Sequence, residues 1–156
     1  MDSICIQKCI PLTYSDLPKV LALEKQYTSN TWNISQFATV LKQKGYKIFG
    51  IQTCCKKLIG YIFIYYNQDY LEIINIVVEK QMQRKGYGKL LLNTALRLAI
   101  KKGILEIMLE VRATNNSAIA FYKNFGFIQT GIRKKYYSNT NEDALIYSKQ
   151  ITSGTL

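Results

Sequence analysis

An apolar run, Ile73 to Val78, leads through Gln83-Arg84-Lys85-Gly86-Tyr87-Gly88 into a leucine-rich segment from Lys89 to Lys102. This junction constrains the chain more than any other stretch. A strand that ends in a glycine-containing basic loop and opens a helix is an anion site. Glycine lets the backbone turn sharply and approach a ligand, and the free N–H groups at a helix start converge on it. The helix dipole and the charges of Arg84, Lys85 and Lys89 add to the attraction for phosphate. On these residues alone, a tight turn with solvated charges remains the alternative. The dinucleotide fingerprint needs a third glycine where Leu91 stands, and no Gly-Lys-Ser or Gly-Lys-Thr of a nucleoside-triphosphate loop occurs.

The rest of the chain alternates strand and helix signals. Ile4-Cys5-Ile6 reads as a short first strand. Ser15 or Asp16 can cap a helix with Pro18 in its first turn, and Asn33-Ile34-Ser35-Gln36 is close to a capping box for a second helix that Gly45 can end. Tyr46 to Thr53 and Leu58 to Tyr66 make a hairpin, with Leu71 to Val78 adjoining. Gly103 stops the long helix and Ile104 to Val111 forms the next strand. Asn115 or Asn116 caps a helix that Gly126 terminates. Phe127 to Ile132 and Ala144 to Tyr147 read as two last strands. Early antiparallel strands followed by a helical crossover predict a mixed α/β sheet. At 156 residues, 1–156 reads as a single domain.

Composition removes whole classes of chemistry. There is no histidine, so imidazole bases, Ser-His-Asp and Cys-His catalysis and histidine-ligated zinc are excluded, and no metal is expected. Acid–base work falls to Glu, Asp, Tyr, Cys or Lys. The four cysteines, Cys5, Cys9, Cys54 and Cys55, lack C-x-x-C spacing and read as reduced thiols, Cys54 and Cys55 in a hairpin. No apolar run reaches the ~18–20 residues of a membrane span, and no signal segment is evident, so a cytoplasmic location is expected. The net charge of +11 invites a nucleic-acid reading. The basic residues are scattered, however, so no specific nucleic-acid binding is expected.

The block Leu109-Glu110-Val111-Arg112-Ala113-Thr114-Asn115, followed by Ala120-Phe121-Tyr122-Lys123-Asn124-Phe125-Gly126-Phe127, carries a family resemblance. With Gln83, Gly86 and Gly88 it resembles the GNAT superfamily of acetyl-coenzyme A-dependent N-acetyltransferases. It is most similar to the RimI-type ribosomal-protein-alanine N-acetyltransferases. Arg133-Lys134-Lys135-Tyr136-Tyr137, Glu142-Asp143-Ala144-Leu145-Ile146 and Trp32 before Asn33 fit the same subfamily. The resemblance spans roughly Ile4 to Ile151. It implies the GNAT fold: a mixed, mostly antiparallel sheet with a central parallel pair and helices on both faces.

The resemblance also assigns roles. On residues alone, Glu110 reads as a solvated carboxylate on a half-buried strand, because alternation puts Leu105, Ile107, Leu109 and Val111 on one face and Glu106, Met108 and Glu110 on the other. The motif match makes Glu110 the general base, acting through water on an amine. Tyr122 reads as core beside Phe121 and Phe125, whereas the family gives its tyrosine the proton for the departing thiolate. A phenol of pKa ~10 gives its proton to a thiolate of pKa ~8.5 only uphill, so a hydrogen-bond donor that becomes a proton donor is the better description. The resemblance assigns acetyl-coenzyme A to backbone groups of Ile76, Val77 and Val78, to the loop Arg84, Lys85, Gly86, Tyr87, Gly88 and Lys89, and to Asn115. Asn115 is equally a helix cap. The implied acceptor is the N-terminal alanine of a small-subunit ribosomal protein, bound by a monomeric enzyme. Another protein terminus, a lysine, a small amine, or a binding module without turnover are the alternatives.

Overall fold

The computed structural model describes residues 6–27 and 32–152, with side chains from residue 9 onward. Among the described residues seven strands form one sheet: β1 (Ile6–Pro11), β2 (Tyr46–Thr53), β3 (Leu58–Tyr66), β4 (Tyr70–Val78), β5 (Glu106–Arg112), β6 (Ile128–Tyr137) and β7 (Glu142–Gln150). Their spatial order is β1-β2-β3-β4-β5-β7-β6. Among the described strands only β4 and β5 run parallel, and α3 (Tyr87–Lys102) crosses between them. The mixed sheet with a central parallel pair is therefore as the GNAT resemblance implies.

Helices cover both faces. On one face α3 presents the stripe Leu91, Leu92, Ala95, Leu96 and Ala99, and α4 (Asn116–Asn124) adds Tyr122 to the same core with Ile107, Leu109 and Val111 of β5. On the other, α1 (Leu17–Glu24) and α2 (Ile34–Leu41) bury Leu17, Val20, Leu23 and Phe37 against β2 and β3. β3 lies between the two layers and is buried from Leu58 to Ile64. Its unbroken apolar run answers to burial on both faces rather than to alternation.

Local chemistry explains the boundaries. Asn33 and Gln36 form the reciprocal capping box of α2: Asn33 Oδ1 accepts from the Gln36 N–H at 2.9 Å, and Gln36 Oε1 from the Asn33 N–H at 2.8 Å. Gly103, at φ +71°, ends α3. Asp16 precedes α1 but makes no side-chain cap bond to it; its carboxylate accepts instead from the Thr13 N–H at 3.0 Å across a preceding 3₁₀ turn. Alternation put Leu105 on the face of Ile107, but it is 65% exposed, because the strand begins at Glu106 rather than at Ile104. The last two strands are longer than their apolar runs suggest, so Tyr136, Tyr137, Glu142 and Asp143 belong to them.

The expected first strand begins at Ile6; Ile4 and Cys5 lie outside the described residues. Cys9 sits in it and carries a free thiol, as does Cys55 in the β2–β3 turn. Cys54, exposed on that same turn, is disulfide-bonded, so the expectation of reduced thiols fails there.

Two irregularities shape the centre of the sheet. Phe63 faces Asn75 and Ile64 faces Ile73, so Ile74 is an extra residue in β4. Such a bulge flips the alternation beyond it. Leu71 and Ile73 face α3, then Ile74 and Val77 face the α1/α2 core, and Ile76 and Val78 return to the α3/α4 side. Glu24, 2% exposed at the end of α1, accepts from Asn75 Nδ2 at 3.2 Å beside the bulge, and Asn75 Nδ2 also meets the Tyr61 hydroxyl at 3.0 Å. Burial pushes the Glu24 carboxyl above its usual range. The second irregularity is the short pairing of β4 with β5, which runs only from Tyr70↔Glu106 to Ile73↔Leu109. Beyond it β4 continues on β3 and β5 on β7, and the two parallel strands part.

Candidate active site

The parting strands leave backbone groups of β4 without a strand on one side. The Glu79 N–H donates to the Ile59 carbonyl at 2.8 Å, which makes the Gly60↔Val78 pair a non-hydrogen-bonded one. The N–H and C=O of Val78 therefore point away from β3, and so do those of Ile76 opposite Ile62. Both residues face the gap where β5 would have paired. The Val78 carbonyl is met there by Gln83 Nε2 at 3.0 Å, which ties the loop back to the strand end. Val77 sits on the intervening pair with Tyr61. Its backbone is turned to β3 and its side chain to the α1/α2 core, so it is not brought to the gap.

A cleft of about 450 Å³ opens here on the α3/α4 side. It is lined by Ile76 and Val78, by the loop and first turn of α3, and by the start of α4. Gly86 is the N-cap of α3 at φ +89°, and a Cβ built on it would meet nothing within 4 Å. That open space is where a ligand can approach the N–H groups of the first helical turn. Arg84 and Lys89 bring positive charge to the wall, and no carboxylate lines it. A Cβ on Gly88 would stand 3.4 Å from the Phe121 ring, so small residues here let α3 and α4 close together. Lys85 is exposed and Tyr87 half-buried, and neither lines the cleft.

Asn115 does two things at once. Its Oδ1 caps α4 by accepting from the Ala118 N–H at 3.1 Å, and it lines the cleft. Tyr122 lies on α4, 5% exposed, with its ring against Phe121 and Phe127 and one side toward the cleft. Burial pushes its phenol well above the ordinary tyrosine value, which makes it a weaker acid and keeps its proton on. Gln83, Ser117, Ala118 and Phe121 also line the cleft. Of these, Gln83 was visible in the loop motif without a role. The other three follow from the cap at Asn115, since the first turns of α4 are then aimed at the gap.

Glu110 is not in this cleft. It stands at the end of β5 on the opposite face of the sheet, where the strands have parted. Arg133 Nε of β6 lies 2.5 Å from its Oε1, and the Tyr136 hydroxyl donates to it. Beyond it, Arg112 stacks 3.7 Å over the Tyr137 ring and pairs with Glu142 at 3.0 Å. Glu142 also accepts from the Thr114 hydroxyl and the Thr114 N–H, and Asp143 accepts from the Lys135 N–H and Lys134 Nζ; these bonds, the Thr114 hydroxyl first for Glu142, hold both carboxyls below their usual range. Both acids are thus engaged in holding the β6–β7 hairpin and the β5–α4 junction. Among the described residues there is no cluster of three or more Cys, Asp or Glu side chains placed to hold a metal ion, and no helix long and apolar enough to cross a membrane.

The cleft can therefore hold an extended polyanion whose other end reaches the gap, while a carboxylate waits on the far side. The acetyltransferase (GNAT) family model matches residues 17–127. The chain is 32% identical over 144 residues to the [ribosomal protein bS18]-alanine N-acetyltransferase of Escherichia coli K12, covering 90% of this chain and 95% of that one. The crystal structure of the ribosomal-protein-S18-alanine N-acetyltransferase from Escherichia coli superposes with a TM-score of 0.82 at 29% identity, over 97% of each chain. A putative streptothricin acetyltransferase from Bacillus anthracis, solved in complex with acetyl coenzyme A, matches 71% of this chain and 65% of its own, at 27% identity and a TM-score of 0.64. The chain belongs to the acetyltransferase (GNAT) family and is an acetyl-coenzyme A-dependent N-acetyltransferase.

Proposed function

We propose that the enzyme acetylates the N-terminal α-amine of a ribosomal protein, with alanine as the accepting residue, and that it acts in the cytoplasm where such proteins are made. The observation that carries this reading is the parted β4–β5 pair, with the cationic cleft on one face and Glu110 on the other. The similarity to enzymes named for ribosomal-protein alanine acetylation supports the choice of acceptor. An α-amine is also the easier nucleophile. Its pKa near ~7.8, against ~10.4 for lysine, makes the neutral form about 3.5 kcal/mol more accessible at pH 7.

The residues divide the work between the two faces. Acetyl-coenzyme A, when bound, supplies an activated thioester. The N–H groups at the start of α3, with Arg84 and Lys89, hold the pyrophosphate, and the gap-facing backbone of Ile76 and Val78 takes the amide-bearing arm as a strand takes a neighbour. The Val78 N–H polarises the thioester carbonyl. Glu110, through water, removes the proton that the attacking amine must lose. Tyr122 donates its hydroxyl hydrogen bond to the departing sulfur and gives up the proton as negative charge develops there.

Two tests address this reading. In the first, Gly86→Val puts a β-branched side chain into the open space before α3 and into a left-handed conformation that costs it ~1–2 kcal/mol. Losing one or two charge-assisted hydrogen bonds to phosphate lowers coenzyme A affinity about 10–100-fold by calorimetry. Unchanged affinity would show that the phosphate is held elsewhere.

The second test offers three acceptors at neutral pH: an alanine-starting ribosomal-protein peptide, the same peptide with its terminus blocked, and spermidine. The reading predicts transfer to the first alone. Transfer to the blocked peptide through a lysine, or preference for spermidine, assigns a different acceptor.

A further inference from the structure

The face of the sheet that carries Glu110 holds a second carboxylate. Glu72 on β4 is in register with Met108 of β5, two residues before Glu110, just where the parallel pairing is about to end. It is half-buried and has no hydrogen-bond or ion-pair partner among the described residues, whereas Glu110 is held by Arg133 and Tyr136. Glu72 is close enough to Glu110 and Arg133 to feel both charges, with Tyr65 of β3 across the ladder and Tyr70 on its own strand. An unpaired, half-buried acid beside another acid is a costly arrangement in an empty site. A cation between the two carboxylates removes that cost.

Building on the acceptor reading above, we propose that Glu72 is the anchor for the acceptor's ammonium group, binding it between β4 and β5 and handing it on to Glu110. The site is then selective for cationic amines. Recognition of the ammonium falls to Glu72, which is free, and proton removal to Glu110, whose orientation Arg133 and Tyr136 fix. In the empty enzyme, burial and the Glu110 charge raise the Glu72 carboxyl above its usual range. Its anionic form, the one that binds ammonium, is therefore lost as pH falls through that raised value, while ordinary carboxylates are still ionised.

The test is steady-state kinetics of Glu72→Gln with an alanine-starting peptide, read as separate kcat and KM across pH 5 to 9. The expected result is an acceptor KM raised about 10–100-fold, with kcat and coenzyme A affinity near those of the parent and the acid-side fall of kcat/KM weakened. Glu72→Asp should recover part of the loss. Glu106→Gln, a carboxylate change on the same face of β5, should leave KM unchanged. An active parent with an unaltered KM and pH profile in Glu72→Gln overturns the anchor and leaves the acceptor reading intact. A parent that transfers acetyl to no peptide terminus overturns both.

Discussion

Replacing Glu110 by Gln is expected to lower kcat by about 10²–10⁴-fold while leaving coenzyme A affinity at the parent value. The division follows from placement. Glu110 lies on the face of the sheet opposite the cleft, so nothing in the cofactor wall changes when its charge is removed. What changes, on the proposed role of Glu110, is the acceptor side, where the attacking amine loses its proton acceptor. The amide also loses the ionic part of its contact with Arg133, which lies half-exposed at 2.5 Å. That pair is open to solvent on one side and is worth little to stability, so the melting temperature should stay close to the parent's. A variant with full kcat under chemistry-limited conditions would show that another group takes the proton.

Tyr122→Phe is expected to lower kcat by a similar factor, about 10²–10⁴-fold, again with coenzyme A binding retained. Only a hydroxyl is lost, and the ring keeps its packing against Phe121 and Phe127. The pH dependence distinguishes a donor from a free acid. Because burial raises the phenol, its proton stays on beyond pH ~10, and the parent shows no alkaline loss of rate from this residue. Stopped-flow measurement of the chemical step in both proteins checks it. An undiminished rate in Tyr122→Phe would return this tyrosine to the core and nothing more.

How legible the molecule was in its sequence differs from one element to the next. The C-terminal end of α3 at Gly103, the Asn33–Gln36 capping box and the hairpin of β2 and β3 follow from local residue chemistry, and they fell where periodicity and glycine placed them. The extra residue Ile74 did not announce itself. The run from Ile73 to Val78 is apolar throughout, and only the register against β3 shows that Ile76 and Val78 face the cleft while Val77 turns away. The lengths of β6 and β7 were hidden for a related reason. Their ends are polar and are held by Arg112–Glu142 and Lys134–Asp143 contacts that no one-dimensional pattern reveals. Glu72 illustrates the limit most clearly. It reads as an ordinary strand carboxylate until the parallel register sets it beside Glu110.

The central claim is that cofactor and acceptor occupy opposite faces at the same time and meet through the gap between β4 and β5. Initial-rate kinetics with both substrates varied tests it most directly. Direct attack in a ternary complex predicts double-reciprocal lines that intersect, with no acetylated protein after incubation with acetyl-coenzyme A alone. Parallel lines, together with an acetyl-enzyme seen by intact-mass spectrometry, would contradict the account.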